Sequence, residues 1–163
     1  MNPKIKQRVL LAAGAQGKPR IEAIRAISEK SGLLCQTVAS LMDRDRDVRL
    51  RTLMILASGL GVSVAYLMGD TNYRTKGADS YKVEAFARRV RLLAMRRGLT
   101  MTEVTRRMGN ASVNGLHMML KTSNPRYRSL LRLAKVLAVA PSELLRSLTP
   151  EEFEEIGRKG RGN

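Results

Sequence analysis

Tryptophan is absent from this 163-residue chain, which holds one cysteine, one histidine, two phenylalanines and four tyrosines. The single thiol, Cys35, excludes an intramolecular disulfide and any cysteine-rich zinc site, and fits a reducing cytoplasm. Cys35 and His117 lie in different halves of the sequence, so no nucleophile–base pair is formed from them. There is no Gly-rich phosphate loop and no metal-ligand cluster either; the residues point away from an enzyme, and no cofactor or metal is expected. So few aromatic rings also argue against single-strand binding by base stacking. Acids are scarce, 14 against 30 Lys and Arg, which leaves a net charge of +16 and a pI near 11.0. A polyanionic partner is implied, and nucleic acid is the commonest for a helical chain. Long apolar runs are missing. Lys4, Lys6 and Arg8 precede VLLAAGA in the order of a secretory signal, but the run from Val9 to Ala13 is short for one. An amphipathic first helix is expected instead, with no membrane span and a cytoplasmic location.

What the chain does have is a repeat. RTLMILASGLGVSVAYLM at 51–68 returns as RSLLRLAKVLAVAPSELL at 128–145, a constant offset of 77. Arg51, Leu53, Leu56, Ala57, Leu60, Val62 and Leu67 recur as Arg128, Leu130, Leu133, Ala134, Leu137, Val139 and Leu144. Within each copy the apolar residues fall at i, i+3, i+4 and i+7, one face of an α-helix. A helix and the short helix after it cannot bury such a stripe alone, so each copy needs partners upstream. The expected organisation is an N-terminal domain at 1–70, a linker at 71–80, a C-terminal domain at 81–148, and a short helix with a basic tail at 149–163. Charge is unequally shared: net +5 over 1–70 against +11 over 81–148.

Upstream of the first copy, Pro3 opens a helix at 3–13 with Ile5, Val9, Leu10, Ala12 and Ala13 inward. GAQGKP breaks it, and a second helix at 21–32 turns Ile21, Ile24, Ile27 and Ser28 inward and ends at Gly32. CQTVASLM at 35–42 makes a third, anchored by Val38 and Leu41. Gly61 and Ser63 suit the junction between helices four and five, the glycine in a left-handed conformation and the serine as a cap. The second copy repeats the plan. Its first helix is expected at 81–98, where RRVRLLAMRR reads as a solvated or phosphate-facing side. Thr100 and Glu103 form a capping box for the second helix, Gly109 closes it, and a third runs from about Ser112 to Leu120 with Leu116 and Met119 inward. Pro141 starts the last helix of that domain. In the appendage Thr149, Pro150 and Glu152 start a helix whose Phe153 and Ile156 make a small apolar face, expected to pack on the second domain.

Helix two, a glycine turn, helix three and then RTLMILASGLGVSVAYLMGD resemble the lambda-repressor-like, xenobiotic-response-element-type family of helix-turn-helix regulators, over both copies. The resemblance implies an all-α chain of two tandem five-helix domains with a short C-terminal helix or tail. It also implies that helices two and three cross closely, which suits the small residues Ser28 before Gly32 and Thr105 before Gly109. The outward face of helix three would then enter the major groove of double-stranded DNA. Its base-reading candidates are Gln36, Thr37 and Ser40 in the first copy and Ser112, Asn114 and His117 in the second. Candidates for phosphate contact are Arg44, Arg46, Arg49, Lys121, Arg126 and Arg128. Asp43, Asp45 and Asp47 alternate with the first three of these and would repel phosphate unless neutralised by them.

The expected function is therefore a sequence-specific DNA-binding transcriptional regulator, a repressor by family habit, reading two half-sites and of a kind found on phage and other mobile elements. The competing expectation is a protein-binding regulator, an antiactivator or co-regulator, on the same scaffold. In it the N-terminal copy, with apolar Leu33 and Leu34 and its acidic loop, would meet a protein, and only the C-terminal copy, or neither, would read DNA. Self-association through the N-terminal copy or the C-terminal helix, and non-specific nucleoid-type or RNA binding, stand beside these.

Overall fold

The computed structural model describes residues 1–43, 47–72, 85–109 and 112–159. Arg44 and Arg46, residues 73–80 of the expected linker, residues 81–84 and the last residues of the tail lie outside the described residues. The chain is all-α, with no strand among the described residues. Its helices are α1 (Pro3–Ala13), α2 (Arg20–Ser31), α3 (Cys35–Asp43), α4 (Leu50–Leu60), α5 (Val64–Met68), α6 (Ala85–Arg96), α7 (Met101–Arg107), α8 (Val113–Thr122), α9 (Tyr127–Leu137) and α10 (Pro150–Lys159), with a 3₁₀ helix at Pro141–Leu145. Two compact units result, Met1–Asp79 with Arg126–Arg128, and Ser80–Pro125 with Ser129–Asn163. No described helix is long and apolar enough to cross a membrane.

In the first unit α2 is the centre, packed against α1, α3 and α4. Ile5, Val9, Ile27, Val38, Leu53, Leu56 and Leu67 meet in its core, each almost wholly removed from water. Burying side chains of this size stabilises a fold by roughly 1.5–3 kcal/mol each. The basic residues of α1 serve the termini of other helices. Lys6 Nζ donates to the Met42 carbonyl at 3.1 Å, near the end of α3. Arg8 Nη1 donates to the Tyr66 and Thr71 carbonyls at 2.5 Å each, and its guanidinium stands 4.9 Å from the Tyr66 ring centroid. Lys30 Nζ in turn donates to the Ala13 carbonyl at 2.7 Å. Cations at helix C-termini satisfy orphan carbonyls and oppose the macrodipole.

One expected core position is corrected. Ile21 is 68% exposed, because α2 starts at Arg20 and buries the stripe Ala23, Ile27 and Ser31 instead. That phase is fixed by Gly59 of α4, whose missing Cβ would overlap the Lys30 carbonyl oxygen and Ser31 Cα. Backbone contact between α4 and the end of α2 leaves no room for a Cβ at Gly59. Gly61 and Ser63 behave as expected: Gly61 has φ +64, and the Ser63 hydroxyl accepts the Tyr66 N–H at 3.0 Å.

In the second unit α6 packs against α7, α8 and the 3₁₀ helix. Its basic run is not a solvated face throughout: Arg89 is buried at 1% exposure among Phe86, Val90 and Leu93. The charge is tolerated because its guanidinium is fully engaged. Nη1 donates to Glu152 Oε1 at 2.6 Å, Nη2 to the Glu143 carboxylate, and Nε to the Glu143 carbonyl at 3.3 Å. Glu152 also accepts from Arg96 Nη1 and Arg146 Nη2, at 3.2 Å each. Its other oxygen takes the Thr149 N–H at 3.1 Å while Thr149 Oγ1 takes the Glu152 N–H at 3.3 Å, a reciprocal capping box that starts α10.

So α10 docks on its own unit through buried Glu152, and of the expected apolar face Ile156 is half-buried. Phe153 is 48% exposed and lies under Arg88, 5.0 Å from the guanidinium carbon to the ring centroid. Two further details differ. Thr100 Oγ1 caps α7 by accepting the Glu103 N–H, but the Glu103 carboxylate pairs with Arg106 and Arg107 at 2.7 and 2.8 Å and closes no box. Those two hydrogen bonds hold the Glu103 carboxyl down to about 2. In α8 the buried residues are Leu116 and Leu120, with Met119 only half-buried.

Candidate nucleic-acid interface

In each unit a helix ends at a left-handed glycine and a second helix begins a few residues on. Gly32, at φ +70, follows α2, and Gly109, at φ +71, follows α7. A Cβ would be strained at either position. The first turn is closed locally: the Gly32 N–H donates to the Ser28 carbonyl at 2.8 Å, and Ser28 Oγ donates to the Leu33 carbonyl at 2.5 Å. Ser28 thus closes the turn with its hydroxyl as well as being small. Thr105 is buried and donates to the Met101 carbonyl at 2.8 Å within its own helix.

On α3, Val38 is buried, which fixes the rotation of the helix and leaves Cys35, Gln36 and Thr37 exposed on its first turn. Ser40 is half-buried and already engaged. The exposed N-terminal turn therefore offers one amide and one hydroxyl beside the free backbone N–H groups of a helix start. Such a terminus attracts phosphate oxygens and can present an amide to adenine. Directly ahead of it, Leu34 is 74% exposed.

On α8, Leu116 is buried in the same way, and Asn114 and His117 are exposed. Ser112 is the N-cap, its hydroxyl accepting the Asn114 N–H at 3.1 Å, so its first duty is to the helix. Lys121 is exposed in the last turn. Among the remaining phosphate candidates, Arg49 is exposed at the N-cap of α4, Arg126 is exposed, and Arg128 is exposed but already engaged. Gln36 and Thr37 thus share one turn of α3, Asn114, His117 and Lys121 share one side of α8, and Ser40 stands apart.

Comparison with protein-family models, with curated proteins and with solved structures returns no match. Among the described residues no group of three or more His, Cys, Asp or Glu could hold a metal.

Two residues were not anticipated. Val113 and Met118 are 42% and 54% exposed on α8, either side of Asn114 and His117. Apolar groups at such positions can meet the thymine methyl while a neighbouring amide reads adenine. The signal for Met118 was present in the sequence: it stands two residues after Leu116, opposite the buried side of a helix.

Proposed function

We propose that the chain is a sequence-specific double-stranded DNA-binding regulator whose two units each offer a helix-turn-helix, reading two half-sites. The observation that carries this reading is the repeated pairing of a left-handed glycine turn with a following helix anchored by one buried aliphatic residue. In both units that anchor leaves an amide exposed on the first turn, Gln36 in one and Asn114 in the other. The net charge of +16 supports a polyanionic partner. A helix of this kind, with amide, imidazole and small apolar groups on its outer face, suits the major groove of B-DNA. Selection of bound sequences from random duplex, followed by footprinting of the full chain, tests it. Enrichment of one two-part site is expected; equal protection of unrelated duplex at moderate salt would sink the proposal.

A second reading has a specific observation behind it. Leu34 at 74% and Ile21 at 68% exposure give the first unit apolar surface at the ends of α2, beside a reading helix that carries no cation on its exposed turn. On that reading the first unit meets a protein and only the second reads DNA. Replacing Gln36 and Thr37 by alanine separates the two, since unchanged duplex affinity and footprint length would remove the first unit from DNA reading.

A further inference from the structure

The repeat makes it possible to compare one crevice in the two units residue by residue. In the first unit α4 lies on the end of α2 in backbone contact, with Gly59 against Lys30 and Ser31. Seventy-seven positions on, these three residues are Val136, Arg107 and Met108. Valine in place of glycine forbids the same approach, since a Cβ at that place in the first unit would overlap the backbone of the facing helix. A cleft of about 520 Å³ opens there, lined by Arg97, Arg107, Met108, Arg132, Lys135 and Val136.

The lining has changed in charge as well as shape. The α4 residues equivalent to Arg132 and Lys135 are Ile55 and Ser58, so two cations stand where the first unit has none. Arg97, Arg107, Arg132 and Lys135 are all exposed. Arg107 shares the Glu103 carboxylate with Arg106. No carboxylate among the described residues pairs with Arg97, Arg132 or Lys135. Elsewhere in this unit Arg89, Arg96, Arg146 and Arg158 each have an acid partner, while Arg88, Arg91 and Lys121 have none among the described residues; the cleft gathers three such unpaired cations in one concavity. Like charges gathered in a concavity repel one another and focus a positive field that an anion relieves.

We propose that this cleft is a binding site for a small oligophosphate, a ligand carrying two or more adjacent phosphate groups. Guanidinium forks match phosphate oxygens in pairs, and the Lys135 ammonium adds a point charge. Among the described residues the lining holds no aromatic ring to stack a base and no carboxylate to accept from a sugar hydroxyl, so recognition falls on the phosphates. None of the exposed residues of α8 lines the cleft, which makes it separate from the face proposed to read DNA. This inference does not depend on that reading.

The test is calorimetric titration of the full chain with sodium tripolyphosphate at low salt, about 50 mM, where phosphate contacts are strongest. Arg132→Ile with Lys135→Ser restores the first unit's residues at exposed positions of α9 and is expected to weaken tripolyphosphate binding about tenfold or more. Asn114→Ala is expected to leave it unchanged, and a short duplex should bind wild type and double variant alike. Should the double variant fail to fold by circular dichroism, Arg97→Gln with Arg132→Gln tests the same cleft. Tripolyphosphate affinity unchanged in a folded cleft variant would overturn the proposal. So would equal losses of tripolyphosphate and duplex affinity, which would give the cleft to the DNA backbone instead.

Discussion

Arg89 Nη1 of α6 lies 2.6 Å from Glu152 Oε1 of α10, and both side chains are buried. The pair joins residues 63 apart and, with the Arg96–Glu155 and Arg146–Glu152 pairs, holds the C-terminal helix to its unit. Removing one member of a buried pair leaves the other charge uncompensated, which typically costs about 3–5 kcal/mol. The network borders solvent, with Glu143 about one-third exposed, so the low end applies: Glu152→Ala should cost about 3 kcal/mol. Urea unfolding followed by circular dichroism measures this. A loss under about 1 kcal/mol would mean that α10 is held by its apolar contacts after all.

The same carboxylate should give the protein an acid limb. Burial works to raise the Glu152 pKa, but the Thr149 N–H, the Arg89 hydrogen bond and the charges of Arg89 and Arg146 outweigh it and hold it below its ordinary 4.5. A carboxyl depressed on folding stabilises the native state above its unfolded pKa, and that contribution disappears as pH falls through the lower folded value. Stability should therefore be level in this respect from neutrality to about pH 5 and fall below about pH 4. In Glu152→Gln the midpoint temperature should be lower at neutral pH and should fall less between those two values than in wild type. Parallel curves for the two proteins would assign the acid limb to other groups.

Much of this architecture could be read from the residues in order. Apolar period marks the helices, and the left-handed positions at Gly32, Gly61 and Gly109 each favour the one residue without a Cβ. The rotation of α3 and α8 could be placed too, because Val38 and Leu116 mark their buried sides by local spacing. What could not be read depends on distant partners. Nothing within RRVRLLAMRR distinguishes Arg89 from its neighbours; Glu143 and Glu152, which make its burial tolerable, lie 54 and 63 residues away. Nothing in the sequence around Gly59 marks the Lys30–Ser31 backbone that packs against it. Ile21 was misplaced for the same reason, since that contact sets the rotation of α2.

Gly59 and Gly115 make opposite predictions from the same substitution. No atom comes within 4 Å of a Cβ added at Gly115, which is exposed inside α8. Gly115→Ala should stabilise the protein by about 0.5–1 kcal/mol, the ordinary helix preference for alanine. Gly59→Ala must instead push α4 from the end of α2 and should cost about 1–3 kcal/mol, as overpacking does. Denaturation midpoints of the two variants should therefore move in opposite directions. A shift of the same sign in both would show that the helix contact at Gly59 is not a tight one.

The proposed DNA reading separates positions by the kind of loss they should cause. Lys121 and Arg126 are exposed cations without a reading role, so alanine at either should weaken binding to every duplex alike. Each should also lower the slope of log affinity against log salt by about one. Asn114→Ala and Gln36→Ala remove exposed amides and should instead narrow the gap between preferred and unrelated duplex by about 1–3 kcal/mol, with the salt slope unchanged. Titrations at several salt concentrations against both duplexes distinguish the two behaviours for each variant. If Asn114→Ala and Lys121→Ala gave the same uniform loss, α8 would be holding the backbone and not reading bases.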